Sequence, residues 1–116
     1  MLPDERDVAY LWDMLEASRW IVSFMQGVNF TQYYTDKKLQ SAVERQLEIL
    51  GEAARRISEG FLQEHPEIPW RQIVGLWNLL IHEYGEVKTE RIWEIASMNV
   101  MELVNLLETL IPPIEE

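Results

Sequence analysis

The chain has 116 residues, 47% of them apolar, which suits one domain with a hydrophobic core and excludes a disordered tail. It has no cysteine, so disulfide bonds and thiolate metal sites are excluded. The formal net charge of −10 argues against a broad nucleic-acid-binding surface, because phosphate binding needs basic groups, but leaves room for a small basic cleft. No signal peptide or membrane-spanning stretch is recognisable, so we expect a cytoplasmic protein with one domain over residues 1–116.

The first helix is predicted to begin after Pro3 and Asp4, because both residues favour a helix start, and to stop at Gly27. Its apolar residues recur at helical spacing and include Val8, Leu11, Trp12, Leu15, Ile21, Val22 and Met25. Residues 29–34, which are rich in aromatic side chains, are predicted to form a short connection to the next helix.

The second helix is predicted to begin near Thr35 and Asp36, which are good capping residues, and to end or loosen at Gly60. Its apolar stripe has spacings of three and four residues and consists of Leu39, Val43, Leu47, Leu50, Ala54 and Ile57. Arg45 and Glu52 are seven residues apart, so we expect them to share another face of this helix, away from the stripe.

The third helix is predicted to begin at Pro69, to run to about Tyr84 and to end at Gly85. The fourth helix is predicted to begin near Thr89, to carry a wide apolar face and to stop at the proline pair 112–113. No segment has the alternating pattern of a β-strand. The most economical fold is therefore an all-α, antiparallel four-helix bundle.

The residues with the clearest chemical potential lie near the end of the third helix. Asn78 and His82 are four residues apart, so their side chains are neighbours on one helical face. An amide can orient an imidazole or bind a phosphate oxygen, and an imidazole can move a proton near neutral pH. A helix-terminal histidine that interacts with the helix dipole is the structural alternative.

No metal-binding cluster, phosphate-cradling glycine loop or nucleophile motif is recognisable. Chemistry at His82 is therefore expected to be acid–base catalysis without a metal or another cofactor. RNA cleavage is compatible with such a site, because the RNA 2′-OH supplies the nucleophile and the protein moves protons and stabilises charge.

Two stretches, residues 42–58 (AVERQLEILGEAARRIS) and 68–87 (IPWRQIVGLWNLLIHEYGEV), resemble HepT-type HEPN proteins. The resemblance extends over nearly the whole chain, including YLWDML at 10–15 and Trp93. Proteins of this family are the toxins of pairs formed with a minimal nucleotidyltransferase antitoxin. The resemblance implies a HEPN-like helical bundle that forms a homodimer, in which two active-site helices meet in a cleft.

The family motif is an arginine followed, four to six residues later, by the catalytic histidine. An asparagine usually follows the arginine directly, and a tyrosine usually lies two residues after the histidine. In this sequence Asn78, His82 and Tyr84 match the motif, whereas Trp77 occupies the arginine position. The family arginine is taken to bind or polarise the scissile phosphate, and an indole cannot replace a guanidinium in that role.

Three explanations for Trp77 remain open: a natural member with weakened catalysis, an inactivated variant, or a chain in which another basic residue substitutes. Arg45, on the polar face of the second helix, is the best substitute, and Arg71, six residues before Trp77, is a weaker one. The structural alternative for Arg45 is an ion pair with Glu48 in its own helix, or with Glu52 across a dimer.

The resemblance implies a ribonuclease toxin that cleaves RNA, with tRNA as the expected substrate and His82, Asn78 and Arg45 as the catalytic residues. Transfer of AMP to Tyr84 by the antitoxin is expected to silence it, because added phosphates beside the cleft repel and block RNA. The alternative is a catalytically inactive HEPN-like module that binds a nucleotidyltransferase partner. Trp77 and the net charge of −10 favour that alternative.

Overall fold

The computed structural model describes residues 4–82 and 89–111, and none of these residues lies in a β-strand. The helices are α1 (Glu5–Met25), α2 (Phe30–Thr35), α3 (Lys37–Arg56), α4 (Glu59–Glu64), α5 (Trp70–His82), α6 (Thr89–Glu94) and α7 (Val100–Leu110). A π-helical segment, Ile95–Asn99, joins α6 to α7. The predicted all-α bundle of four long helical segments is confirmed, with α1, α3, α5 and the α6–α7 unit as those segments. No helix in the described ranges has the length and apolar character needed to cross a membrane.

The starts of the two longest helices follow the predicted capping residues. The Asp4 side chain accepts a hydrogen bond from the Arg6 backbone N–H at 2.8 Å, and α1 begins directly after it. The Asp36 side chain caps α3 in the same way, through the backbone N–H of Leu39 at 3.0 Å. Beyond the end of α1, Gly27 has a φ of +72°, a conformation that glycine adopts without the steric cost of a Cβ atom.

The prediction that residues 29–34 form an irregular connection is wrong, because most of them belong to α2. Asn29 Oδ1 accepts a hydrogen bond from the Gln32 backbone N–H, and Gln32 Oε1 accepts one from the Asn29 backbone N–H, each at 2.8 Å. This reciprocal pair is a capping box, which satisfies two backbone donors at the helix start. The spacing of Asn29 and Gln32 carried that signal in the sequence, but the aromatic residues between and after them hid it.

The predicted end of the second helix at Gly60 is also wrong, since α3 ends at Arg56 and Gly60 lies inside α4. The cause is a contact between residues far apart in the chain. The buried carboxylate of Asp7 in α1 accepts hydrogen bonds from the Ser58 backbone N–H at 2.9 Å and from its hydroxyl at 2.6 Å. This contact holds Ser58 in an extended conformation, where it caps α4 instead of continuing α3.

The other two predicted helices are found near their expected starts. The helix α5 begins at Trp70, directly after Pro69, and is described to His82, so its predicted end at Tyr84 and Gly85 lies outside the described residues. The fourth segment begins at Thr89, but the sequence did not predict the π-helical insertion within it. The predicted stop at the proline pair 112–113 also lies outside the described residues, of which the last helical one is Leu110.

The core lies where α1 packs against α3 on one side and against α7 on the other. Most of its completely buried apolar side chains come from these three helices and include Leu11, Met14, Leu15, Ile21, Val43, Val100 and Leu107. The helix α5 has α3 as its main neighbour, so it lies at an edge of this arrangement. That position leaves much of α5 open.

The crossing of α3 and α5 is unusually close at Gly51. A Cβ atom at this position would collide with the Cβ and Cγ atoms of Trp77. Because every residue other than glycine has a Cβ atom, the clash would occur with either a tryptophan or an arginine at position 77. Gly51 therefore sets the distance between the two helices and the placement of residue 77.

Replacing Gly51 with alanine is expected to lower the free energy of unfolding by about 1–3 kcal/mol, because the methyl group must push α5 away from α3. Chemical denaturation measures this change. Gly60→Ala is the matched control, since a Cβ atom there would have open space and alanine has the higher helix propensity. Equal stability of the Gly51→Ala and Gly60→Ala proteins would contradict the close crossing.

Candidate functional site

The first residue of α5 is buried and fixes the start of the helix. Most of the later side chains of α5 are exposed or half-buried. Trp70 is buried, and its indole N–H donates a hydrogen bond to the His65 carbonyl at 2.9 Å. Trp70 and Leu80 are the buried residues of this helix. The apolar side chains of Leu79 and Ile81 are 39% and 44% exposed, which is unusual for residues of this type.

Asn78 and His82 are both exposed and lie one helical turn apart on α5. A molecule in solution can therefore reach the amide and the imidazole at the same time. Such a pair can hold an anionic oxygen and exchange a proton with it. Neither side chain makes a hydrogen bond to another of the described residues, so their polar atoms have no hydrogen-bond partner in that part of the chain.

Trp77, at the position of the family arginine, is half-buried and contacts Arg55 of α3 and His82 of its own helix. The rings of Trp77 and His82 are nearly perpendicular, at 88°, and their centroids are 6.1 Å apart. The guanidinium carbon of Arg55 lies 5.0 Å from the centroid of the indole ring, in cation–π contact. The indole thus links a cation on α3 to the imidazole on α5.

A cleft of about 450 Å³ opens between α1, α3 and α5 beside this contact. Its lining residues are Tyr10, Asp13, Arg45, Glu48, Ile49, Glu52, Ala53, Arg56, Trp77 and Ile81. The structure therefore places Arg45 and Trp77 at one cleft. Asn78 and His82 are not among its lining residues and lie on the adjoining exposed surface of α5.

Carboxylates are paired with the arginines of this region. Arg45 is 68% exposed and contacts Glu48 at 3.2 Å, which is the ion pair named above as its structural alternative. Glu52 accepts hydrogen bonds from Arg55 at 3.0 Å and from Arg56 at 2.8 Å. These hydrogen bonds, first from Arg55 and then from Arg56, lower the pKa of Glu52 below its ordinary value. The carboxylates of Glu48 and Glu52 thus offset most of the positive charge of these arginines, and binding of RNA would need that charge.

Of the other residues named from the sequence, Arg71 is not part of this region. Arg71 lies at the opposite end of α5 from His82, which at 1.5 Å per residue separates their backbones by roughly 16 Å. Tyr84 lies outside the described residues. Within the described ranges, no three histidine, aspartate or glutamate side chains are grouped so that they could hold a metal ion.

The sequence interpretation missed Arg55, which has the closest relation to Trp77. Its place in the sequence gave a partial signal, because Arg55 lies four residues after Gly51 and so shares its helical face. That spacing could not identify Arg55 as a site residue by itself, because only the crossing of α3 and α5 shows that Trp77 packs against this face.

Comparisons with known proteins give a consistent result. The model of the HepT-like ribonuclease family matches residues 14–110. A protein of Methanocaldococcus jannaschii whose name assigns it provisionally as an RNase is 37% identical over 112 residues, which cover 96% of this chain and 93% of the relative. The "Probable ribonuclease HepT" of Thermococcus cleftensis is 39% identical over 101 residues, covering 87% of this chain and 92% of the relative.

A bacterial relative is also similar: a provisionally named RNase of Caldanaerobacter subterraneus subsp. tengcongensis is 34% identical over 94 residues, covering 81% of this chain and 84% of the relative. No solved structure matches the chain significantly. The family model covers α3 and the helix with Asn78 and His82, and it begins just after Tyr10 and Asp13, the α1 residues of the cleft. This chain belongs to the HepT-like ribonuclease family.

Proposed function

We propose that this chain is a metal-independent ribonuclease and the toxin of a toxin–antitoxin pair, with tRNA as its substrate. The observation that carries the proposal is the exposed Asn78–His82 pair on α5, in a chain that belongs to a ribonuclease family. An acid–base group that touches RNA must be open to solvent, and His82 meets that condition.

In the proposed reaction, His82 takes the proton from an RNA 2′-OH. The 2′-oxygen forms a bond to the adjacent phosphorus, and the bond from phosphorus to the 5′-oxygen breaks. His82 then returns its proton to the leaving 5′-oxygen, so that the products are a 2′,3′-cyclic phosphate and a 5′-hydroxyl. Asn78 holds a phosphate oxygen or orients the imidazole, and Arg45 at the cleft is a supporting cation.

Replacing His82 with alanine is expected to lower the rate of tRNA cleavage in the presence of EDTA by roughly 10²- to 10⁴-fold, because proton transfer is lost. Gel analysis of tRNA incubated with purified protein measures the rate. His65→Ala is the matched control, since His65 pairs with Glu67 at 3.2 Å and stacks on Phe61, away from α5's exposed end. Intact tRNA with the unmodified protein would refute the nuclease, and equal rates for both variants would refute the role of His82.

The open face of α5 supports a homodimer. A groove of about 530 Å³ lies between α5 and the α6–α7 unit, and its apolar lining includes Leu47, Leu50, Ile73, Leu76, Leu79, Ile95, Val100 and Leu103. Most of these side chains are buried or half-buried and form the floor of the groove, whereas Leu79 is exposed beside it, and an apolar groove with an exposed apolar residue marks an interaction site. In a twofold dimer the same surface is used by both protomers, so an α5–α5 contact covers both faces and brings the two Asn78–His82 pairs to one region.

Leu79→Asp is expected to weaken the dimer by about tenfold or more, because an unpaired carboxylate is costly to bury in an apolar interface. Sedimentation equilibrium over a range of protein concentrations measures the change. Trp20→Asp is the control, since Trp20 is another exposed large apolar residue but belongs to α1. A monomeric unmodified chain would contradict the proposed dimer, as would equal dimer stability in both variants.

We further propose that a minimal nucleotidyltransferase antitoxin silences the chain by transferring AMP to Tyr84. Tyr84 is two residues after His82 in the sequence, so an attached nucleotide would be close to the proposed proton-transfer group. The added negative charge opposes RNA binding, and the nucleotide occupies space that the RNA needs.

The alternative function is that of a catalytically inactive module that binds a nucleotidyltransferase partner. Two observations favour it: Trp77 takes the place of the family arginine, and the arginines beside the cleft are paired with carboxylates. In this case the open apolar face of α5 would serve protein binding alone.

Trp77→Arg separates the two functions. If the chain is a nuclease weakened by the lack of this group, the variant is expected to cleave tRNA at least about tenfold faster, because one charge-assisted hydrogen bond to the phosphate is gained. Trp77→Gln is the control, because it removes the indole without adding a charge. No activity in either the unmodified protein or the arginine variant, with both folded, would favour the binding module.

A further inference from the structure

We propose that Arg55 binds the scissile phosphodiester beside His82 and that the Trp77 ring holds it there. This inference rests on the proposed ribonuclease function and assigns a phosphate-binding residue to its site. It starts from the contact between Arg55 and Trp77, with the guanidinium carbon 5.0 Å from the ring centroid.

The contact between Arg55 and the Trp77 ring is compatible with anion binding. A guanidinium in cation–π contact with a ring keeps N–H groups that can donate hydrogen bonds to an anion. Among the described residues, the hydrogen bond of Arg55 is the one from Nε to Glu52 Oε2, at 3.0 Å. The guanidinium has five N–H donors, so its terminal nitrogens are available to bind a phosphate in a bidentate way.

Arg55 and His82 are two described residues whose polar groups contact the Trp77 ring. The guanidinium carbon lies 5.0 Å from the ring centroid and the imidazole centroid lies 6.1 Å from it, so the sum of these two distances is the upper limit of their separation. A phosphate whose oxygens lie about 2.8 Å from a donor on either side spans roughly 8 Å between the two donor atoms, so binding of one phosphate by both groups requires them to lie in the shorter part of that range. Trp77 therefore positions a guanidinium near the site instead of supplying one.

Glu52 is the natural competitor for this cation. Its carboxylate holds both Arg55 and Arg56 in the absence of RNA, but exposed ion pairs are weak because water screens them. The Arg55 side chain is 44% exposed, so an incoming phosphate can displace Glu52 from it. RNA binding should therefore respond in opposite directions to the loss of Arg55 and to the loss of Glu52.

A second ion pair provides a charge-matched control. Arg19 of α1 contacts Glu108 of α7 at 3.3 Å, and its side chain is 49% exposed, which is close to the exposure of Arg55. Arg19→Gln and Glu108→Gln change the net charge by the same amounts as Arg55→Gln and Glu52→Gln. If RNA binding differs between the variants of Arg55 and Glu52 and those of Arg19 and Glu108, the difference therefore arises from the position of the charge and not from the net charge.

The experiment measures binding and cleavage separately. Binding uses a short single-stranded RNA with 2′-O-methyl groups, which lacks the nucleophile, and its Kd is determined at several salt concentrations. Arg55→Gln is expected to raise Kd about tenfold or more and to reduce the slope of log Kd against log salt by about 0.7, as for one lost phosphate contact to a single strand. Arg55→Lys, which keeps the charge without the flat fork, is expected to restore the slope and part of the affinity.

Glu52→Gln is expected to lower Kd by more than Glu108→Gln does. For cleavage of tRNA, Arg55→Gln is expected to reduce kcat/KM by at least the factor by which it raises Kd. Circular dichroism and thermal unfolding establish that each variant is folded. If Arg55→Gln does not fold, the test relies on Arg55→Lys and Glu52→Gln. An RNA Kd equal to that of the unmodified protein in both of these variants overturns the proposal.

The possible outcomes distinguish this inference from the proposed function. If Arg55→Gln matches Arg19→Gln in Kd, salt slope and kcat/KM, the role of Arg55 is overturned while the nuclease stands. If the unmodified protein binds the RNA through Arg55 but cleaves no tRNA, the nuclease fails and the phosphate site stands. If the unmodified protein does not bind RNA at all, both are overturned.

Discussion

The crossing of α3 and α5 at Gly51 and Trp77 is the contact on which the rest of the site depends. The absence of a side chain at Gly51 lets the two helices approach until the Trp77 side chain lies directly against α3. That approach brings the indole under Arg55 and sets the position of the helix that carries His82. Because α3 is the main neighbour of α5, few other contacts could hold this geometry if the crossing were lost.

The charge distribution gives this site a second constraint. A chain with a net charge of −10 repels RNA at long range, so attraction between whole surfaces cannot drive binding. Recognition must depend on a few close contacts, and carboxylates such as Glu48 and Glu52 already occupy the arginines nearby. An anion would have to compete with these carboxylates to bind at the proposed site, which would make its binding selective and sensitive to salt.

The open side of α5 carries both the proposed catalytic pair and exposed apolar surface. Leu79 and Ile81 leave apolar surface exposed on the same helix that carries Asn78 and His82. Whatever covers this surface will also lie close to the imidazole and change its access to water. A second protomer would complete a shared RNA-cleaving cleft, whereas a different protein on this face would compete with that arrangement. The two proposed functions thus involve the same helix and differ in its partner.

Much of the fold could be predicted from local patterns. The spacing of apolar residues indicated the four helical segments, and Asp4, Asp36 and Gly27 marked helix ends through hydrogen bonds or backbone conformations that involve only neighbouring residues. The short helix α2 was missed although its capping pair was readable, because the aromatic residues of that segment suggested a connection. The exposure of Asn78 and His82 on one face of α5 also agrees with their helical spacing.

The sequence by itself determined the helical class, the apolar stripe of α3, and the candidate pair Asn78–His82, since each follows from the spacing of residues within one helix. Only the tertiary structure decided the break between α3 and α4, because Asp7 reaches Ser58 from another helix. It likewise decided which arginine meets Trp77. Helical spacing places residues on a face, but the crossing of two helices determines which faces meet, and that crossing depends on contacts between residues far apart in the chain.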